Sequence, residues 1–271
     1  MDGVADAATL IALQRAGDAA PGRGTPMVEQ FRARAVTHPG TVRGHNEDMF
    51  VDRPDIGLWA VADGAGGHQA GEVASDMIAA ALGSIPGTLS AEATIMQVRL
   101  RMTETHAALH ERAARQGDGA IIASTVVVLV VRQGRFGCLW AGDSRAYLLR
   151  NDSFRRLTRD HSLVQELVDA GHLDARQAER HPRANVITRA VGASGETLEL
   201  DMVTGRIMHG DRFLLCTDGL SKAVDDTALG EIMRADGPDL AADKLLAAAL
   251  AHRARDNVTA VVLEVAGDGP L

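Results

Sequence analysis

From Thr125 to Val131 the chain reads Thr-Val-Val-Val-Leu-Val-Val, a strand-length run with almost no polar side chain. β-Branched residues favour an extended, pleated backbone, and a strand that is apolar on both faces must be covered on both. Gln133-Gly134 supplies a turn, Phe136 to Ala141 the return strand, Ala146 to Leu149 another strand, and Asn151-Asp152 a further hairpin turn. Consecutive hairpins mean antiparallel pairing, not a doubly wound parallel sheet. Sheet packed on sheet with helices outside satisfies both demands, so the expected class is α+β.

The remaining elements fit around that strand. Leu58 to Ala62 is a short apolar strand that stops at Asp63-Gly64. A helix should start near Ala70, with Val73, Met77, Ile78, Ala81 and Leu82 on one face and Gly83 closing it. A longer one should follow Ser90 as N-cap, with Ile95, Val98, Met102 and Leu109 along one side. Phe213 to Cys216 reads as a buried strand, Pro238 to Ala254 as a helix with Leu240, Leu246 and Leu250 on its face, and Val258 to Val265 as the last strand. Residues 160–192 differ in character: a short helix from Ser162 to Ala170, Asp174 capping another, then a polar stretch. They read as a surface-lying subdomain inserted between strands.

Length and composition bound the rest. With 271 residues the chain is expected to form one domain, 31–266, between a mobile N-terminal tail over 1–30, rich in Ala, Gly and Asp, and a short tail over 267–271. No apolar stretch approaches the roughly 18 residues that a membrane span needs, so a soluble protein without membrane partners is expected. A net charge of −8 argues against broad nucleic-acid binding, which needs a positive surface. Asp2 and Asp6 precede the first cation, Arg15, and the apolar run Leu10 to Leu13 is too short for a signal-peptide core, so a cytoplasmic location is expected. Cys138 and Cys216 lie in strand-like runs and read as buried hydrophobes.

Acidic residues stand beside glycines or small residues at the ends of these apolar runs: Asn46-Glu47-Asp48, Ala62-Asp63-Gly64, Gly142-Asp143-Ser144, Thr217-Asp218-Gly219 and Arg255-Asp256-Asn257. A single Asp-Gly pair is an ordinary turn former. Several, each abutting a buried strand, pose an electrostatic problem, because an unpaired buried charge is costly. Strand ends at one edge of a sandwich can converge, and divalent cations neutralise such oxygens best.

Six motifs in order carry a family resemblance. Arg43-Gly44-His45-Asn46-Glu47-Asp48, Asp63-Gly64-Ala65-Gly66-Gly67-His68 with Gly71-Glu72, Gly142-Asp143-Ser144-Arg145, Thr158-Arg159-Asp160-His161-Ser162, Thr217-Asp218-Gly219-Leu220 and Asp256-Asn257-Val258-Thr259 resemble the motifs of bacterial metal-dependent protein phosphatases of the PPM, or type 2C, family. The resemblance implies a four-layer αββα sandwich of two antiparallel sheets flanked by helices, with a flap over about 160–192. It also implies a centre of two Mn2+ or Mg2+ ions and hydrolysis of phosphoserine and phosphothreonine. Asp63 would bridge the ions, joined by the Gly64 carbonyl. Asp218 and Asp256 would complete the opposite ion, and Glu47 and Asp48 would hold water ligands directly or one shell out. Asp143, with Asp218, would take a third, weaker ion, and Arg43 would clamp phosphate, its fork suiting phosphate oxygens. Arg43, Glu47 and Asp63 thus form the expected catalytic set. A phosphate monoester hydrolyses extremely slowly unaided, and two ions supply both positive charge and a hydroxide at neutral pH.

The sequence departs from the eukaryotic pattern at Ala65, where those members place a histidine proposed as general acid, and Ala123-Ser124-Thr125 stands for the family's Gly-Thr-Thr. His68 follows in a glycine loop, with a turn role favoured over a catalytic one. His161 reads as structural, and Arg145 as a partner of carboxylates. The resemblance implies phosphorylated proteins and a cognate Ser/Thr kinase as partners, with a monomeric chain; a catalytically weak phosphoprotein-binding module of the same fold is the alternative. The 64–68 loop is also similar to that of phosphatases attached to secretion-system kinases, one context among others.

Overall fold

The structure is a computed structural model that describes residues 30–66, 70–117, 119–174, 177–178, 181–193, 195 and 197–266. The N-terminal tail, apart from Gln30, the C-terminal tail and His68 lie outside the described residues. The strands are β1 (Gln30–His38), β2 (Asp48–Arg53), β3 (Leu58–Ala65), β4 (Ala123–Ser124), β5 (Val126–Arg132), β6 (Arg135–Ala141), β7 (Arg145–Arg150), β8 (Ser153–Arg156), β9 (Asp201–Arg206), β10 (Arg212–Cys216) and β11 (Val258–Ala266). The helices are α1 (Ala70–Gly83), α2 (Ala91–Gln116), α3 (Leu163–Asp169), α4 (Asp218–Ser221), α5 (Asp226–Ala235) and α6 (Pro238–Ala251). One sheet has the order β1-β11-β10-β7-β8 and the other β2-β3-β5-β6-β9, with β4 added to β3. All named pairings are antiparallel.

Alternation along the strands builds the layers. Val127, Leu129 and Val131 of β5 face Phe213 and Leu215 of β10 and Val261, Leu263 and Val265 of β11, filling the space between the sheets. Val126, Val128 and Val130 point the other way, onto Ile78 and Leu82 of α1 and Val98, Met102 and Leu109 of α2. On the far side Leu214, Cys216, Ala260 and Val262 meet Leu229 and Met233 of α5 and Ala241, Ala242 and Leu245 of α6. Helix, sheet, sheet, helix is therefore the order of layers, as expected. Burying each such aliphatic side chain stabilises the fold by about 1.5–3 kcal/mol relative to exposure, before the entropy of ordering it is set against that gain.

Two elements differ from their expected form. β3 does not stop at Ala62 but continues through Asp63, Gly64 and Ala65, because β2 pairs Asp48 with Asp63 and β4 pairs Ser124 with Gly64. Ladder hydrogen bonds hold this stretch extended after its hydrophobic pattern has ended. On α6 the buried face is Ala241, Ala242, Leu245 and Ala249, while Leu240 is exposed and Leu246 and Leu250 are only half-buried. Alanines let this helix lie close on β1 and β11, so the small side chains rather than the leucines mark the inner face.

Local signals were otherwise faithful. Ser90 caps α2 by accepting from the Ala93 amide at 3.2 Å, and Ser162 caps α3 by accepting from the Gln165 amide at 3.3 Å. Asp174 and Gln177 exchange two 2.8 Å bonds as a capping box. Cys138 and Cys216 are buried, and burial pushes each thiol up to about 12.

Candidate metal centre

Both connections that carry the central residues cross between the sheets. The loop from β1 to β2 brings Arg43, Glu47 and Asp48, and the Gly142–Ser144 turn from β6 to β7 brings Asp143. At the same edge Asp218 opens α4 just after β10, and Asp256 stands just before β11. A threonine ladder ties these strands: Thr217 Oγ1 donates to Asp48 Oδ2 at 2.8 Å and accepts from the Thr259 amide at 3.0 Å, while Thr259 Oγ1 lies 2.8 Å from Thr37 Oγ1. Asp63 is fixed by Thr125, whose Oγ1 accepts from the Asp63 amide at 3.2 Å and whose own amide donates to the Asp63 carbonyl at 2.9 Å. Thus Thr125 also orients the backbone of a site residue.

Asn257 organises the loop opposite. Its Oδ1 accepts from the Glu47 amide at 2.8 Å, and its Nδ2 donates to the carbonyls of Pro39 and His45 at 3.0 and 2.9 Å. Close backbone approach explains two glycines. A Cβ on Gly219 would fall 1.9 Å from the Asn257 carbonyl oxygen, so glycine lets the Asp218 and Asp256 segments touch. A Cβ on Gly71 would fall 2.7 Å from both Glu47 Oε2 and the Gly64 carbonyl oxygen, so these two oxygens converge on one point in front of α1.

The electrostatics record the crowding. Burial pushes the Asp48 carboxyl up to about 7, with Asp218 and Asp256 adding to the rise against hydrogen bonds from threonine. Burial, then Asp218, does the same for Asp143, again to about 7. Asp63 is raised well above the ordinary carboxylate range by burial and then by Asp218, Asp48, Asp143 and Asp256 together. Burial also raises Glu47. Each group is thus held back from its charged form by its surroundings, the condition an added cation reverses.

Two cations already stand at the rim. Arg43 grips Asp256 with both arms of its fork, Nε to Oδ1 and a terminal nitrogen to Oδ2, each at 2.9 Å. Lys222 pairs with Asp218 and lies 3.7 Å from Asp143 Oδ2. With Asp218 and Asp256 turned to these partners, no three His, Cys, Asp or Glu side chains among the described residues close on a common point as a finished metal polyhedron. The donor chemistry nevertheless fits hard divalent ions: it is all oxygen, and the buried Asp48 Oδ1 and Asp143 Oδ1 have no hydrogen-bond partner among the described residues. A cavity of about 550 Å³, lined by Arg43, Asn185, Asp218, Lys222, Arg253 and Asp256 among others, opens at the outer side of Asp218 and Asp256.

The structure brings the expected residues to this edge: Asp63 feels the charges of Asp48, Asp143, Asp218 and Asp256, Glu47 and Gly64 meet at Gly71, and Arg43 sits on Asp256. Ala65 closes β3 opposite Ala123. His161 is structural, accepting from the Gly142 amide at 3.2 Å and facing Asp201, and Arg145 holds Asp160 through three hydrogen bonds. Thr217, Asn257 and Lys222 carry roles that the sequence did not assign. The first two lie next to the acidic residues, the only signal that pointed toward them.

Comparison with known proteins gives this arrangement a lineage. Residues 44–251 match the family model for protein phosphatase 2C, a span that excludes Arg43 and Asp256. Over 236 residues the chain is 34% identical to the serine/threonine phosphatase Stp of Listeria monocytogenes, covering 84% of this chain and 93% of that protein. Among solved structures it is similar to PppA, a key regulatory component of T6SS in Pseudomonas aeruginosa, with 40% identity, a TM-score of 0.80, and coverage of 87% of this chain and 97% of that one. It is also similar to the catalytic domain of the serine threonine protein phosphatase PstP in complex with 2 manganese ions, with 33% identity, a TM-score of 0.75, and coverage of 87% and 98%. The order of motifs, the paired sheets and the shared edge of carboxylates thus have one common explanation, that the chain belongs to the protein phosphatase 2C family.

Proposed function

We propose that this chain is a Mn2+- or Mg2+-dependent phosphatase that hydrolyses phosphoserine and phosphothreonine in proteins and reverses a bacterial Ser/Thr kinase. The observation that carries the reading is the gathering of Asp48, Asp63, Asp143 and Asp218 at one sandwich edge, with the buried Asp48 Oδ1 left without a hydrogen-bond partner among the described residues. On this reading Asp63 would hold the two ions with the Gly64 carbonyl as a further ligand, Asp218 and Asp256 would complete the opposite ion, and Glu47 and Asp48 would position water. Asp143 is the outermost of the set.

When bound, the ions lower the pKa of water and neutralise charge on the transferring phosphoryl group. The residues of the chain do the rest. Arg43 binds and orients the phosphate, because the fork that now meets two carboxylate oxygens on Asp256 matches two phosphoryl oxygens equally well. Glu47, held by Asn257 through its amide, faces the Gly64 carbonyl across Gly71 and accepts protons from water at its Oε2. No covalent nucleophile is needed, and the thiol of Cys216, shut in the core, offers none.

The proposed partners are a Ser/Thr kinase and its phosphorylated substrates, met by a monomeric chain in the cytoplasm. The likeness to PppA supports a secretion-system kinase as one such partner. No helix among the described residues is long and apolar enough to cross a membrane. The test is Asp63→Asn: Mn2+-dependent hydrolysis of para-nitrophenyl phosphate should fall by at least about 1,000-fold with the melting transition retained. Turnover near the wild-type rate would sink the assignment.

A further inference from the structure

A lysine four residues after Asp218 turns toward the acidic edge. Lys222 Nζ is paired with Asp218 Oδ2, lies 3.7 Å from Asp143 Oδ2, and donates to Asn185 Oδ1 at 2.8 Å. An Asp–Lys pair at this spacing is ordinarily an exposed helix pair of small consequence. Here the helix spans only Asp218–Ser221, and the second carboxylate comes from the β6–β7 turn on a different part of the chain. Asp143 is only 5% exposed, and its Oδ1 has no hydrogen-bond partner among the described residues. No other ion pair among the described residues reaches Asp143 or Asp218. Asn185, from the segment after α3, anchors the ammonium from its outer side.

We infer that Lys222 is a built-in cation for the Asp143–Asp218 pair, so that this chain takes up two divalent ions and excludes a third. The inference rests on the proposed function, which assigns Asp63, Asp218 and Asp256 to the two principal ions. A tethered ammonium supplies the positive charge that the buried Asp143 carboxylate requires, and at this range it repels any further divalent ion. Lys222 acts by charge and position and touches no reacting atom on this reading, which makes it a positioning residue.

The experiment is a Mn2+ titration of the metal-stripped full chain, counting bound ions by the electron-paramagnetic-resonance signal of free Mn2+ up to a few millimolar. The wild type is expected to take up two ions. Lys222→Met, which keeps length and removes charge, should take up three, the added one the weakest, and Lys222→Gln gives the same count should the first variant fold poorly. Lys222→Arg should stay at two. Three ions on the wild type, or still two on folded Lys222→Met and Lys222→Gln, would overturn the inference while leaving the proposed function standing. Fewer than two on the wild type would overturn the proposed function and this inference with it.

Discussion

At the scale of single residues, the acidic set was legible because carboxylates beside apolar strands are anomalous wherever they occur. Its supports were not legible. Asn257 acts through one amide side chain reaching Glu47, Pro39 and His45, more than two hundred positions away along the chain, and such contacts leave no periodicity. Asn257→Ala should therefore cost about 1–3 kcal/mol by orphaning those backbone groups, measured as the free energy of urea unfolding. A change within experimental error would show that the loop holds itself. Arg43 is proposed to make a different kind of contribution, its charged fork binding phosphate in place of the Asp256 carboxylate. Arg43→Ala should lower kcat/KM for a phosphopeptide by about 10–100-fold, the worth of a charge-assisted pair, with the melting temperature little changed because its partner Asp256 is partly exposed. An unchanged kcat/KM would remove Arg43 from the site.

Among elements, β5 was the most readable because each of its two faces fills a different layer, Val128 on the helix side and Leu129 between the sheets. Leu129→Ala should destabilise by about 2–5 kcal/mol through lost burial and the cavity left behind, and a loss below about 1 kcal/mol in denaturant unfolding would contradict that packing. The inner face of α6 was misread because alanines were discounted beside leucines, although a helix lying close on a sheet needs small residues. The extent of β3 was misread for a related reason, since backbone pairing with β2 and β4 carries no side-chain signature. The segment after β8 carries α3 and reaches the acidic edge through Asn185 and Lys222. Replacing residues 160–192 should shift preference among phosphopeptides while leaving hydrolysis of a small aryl phosphate largely intact; equal losses on both would show that the segment supports the site rather than selecting substrate.

For the whole molecule, the fold creates an electrostatic debt at one edge that only cations discharge. Burial holds the Asp48 carboxyl up at about 7 in the folded chain, against about 4 for an ordinary carboxyl. Between those values the folded state binds more protons than the unfolded one, so this contribution to stability is complete below about pH 4 and is lost as the pH rises through about 7. The melting temperature of the protein in EDTA should accordingly fall from about pH 5.5 to about pH 8, and Mn2+ should flatten that slope. A flat or rising profile in EDTA would mean that the carboxylates are already neutralised within the chain.

On the proposed function, acidic residues scattered from Glu47 to Asp256 form one metal centre. Anomalous diffraction from Mn2+-loaded crystals tests it most directly. Two strong peaks are expected at the edge between the sheets, both within bonding distance of Asp63, one of them shared with Asp218 and Asp256. Peaks elsewhere, or none near Asp63 in well-ordered crystals, would contradict it.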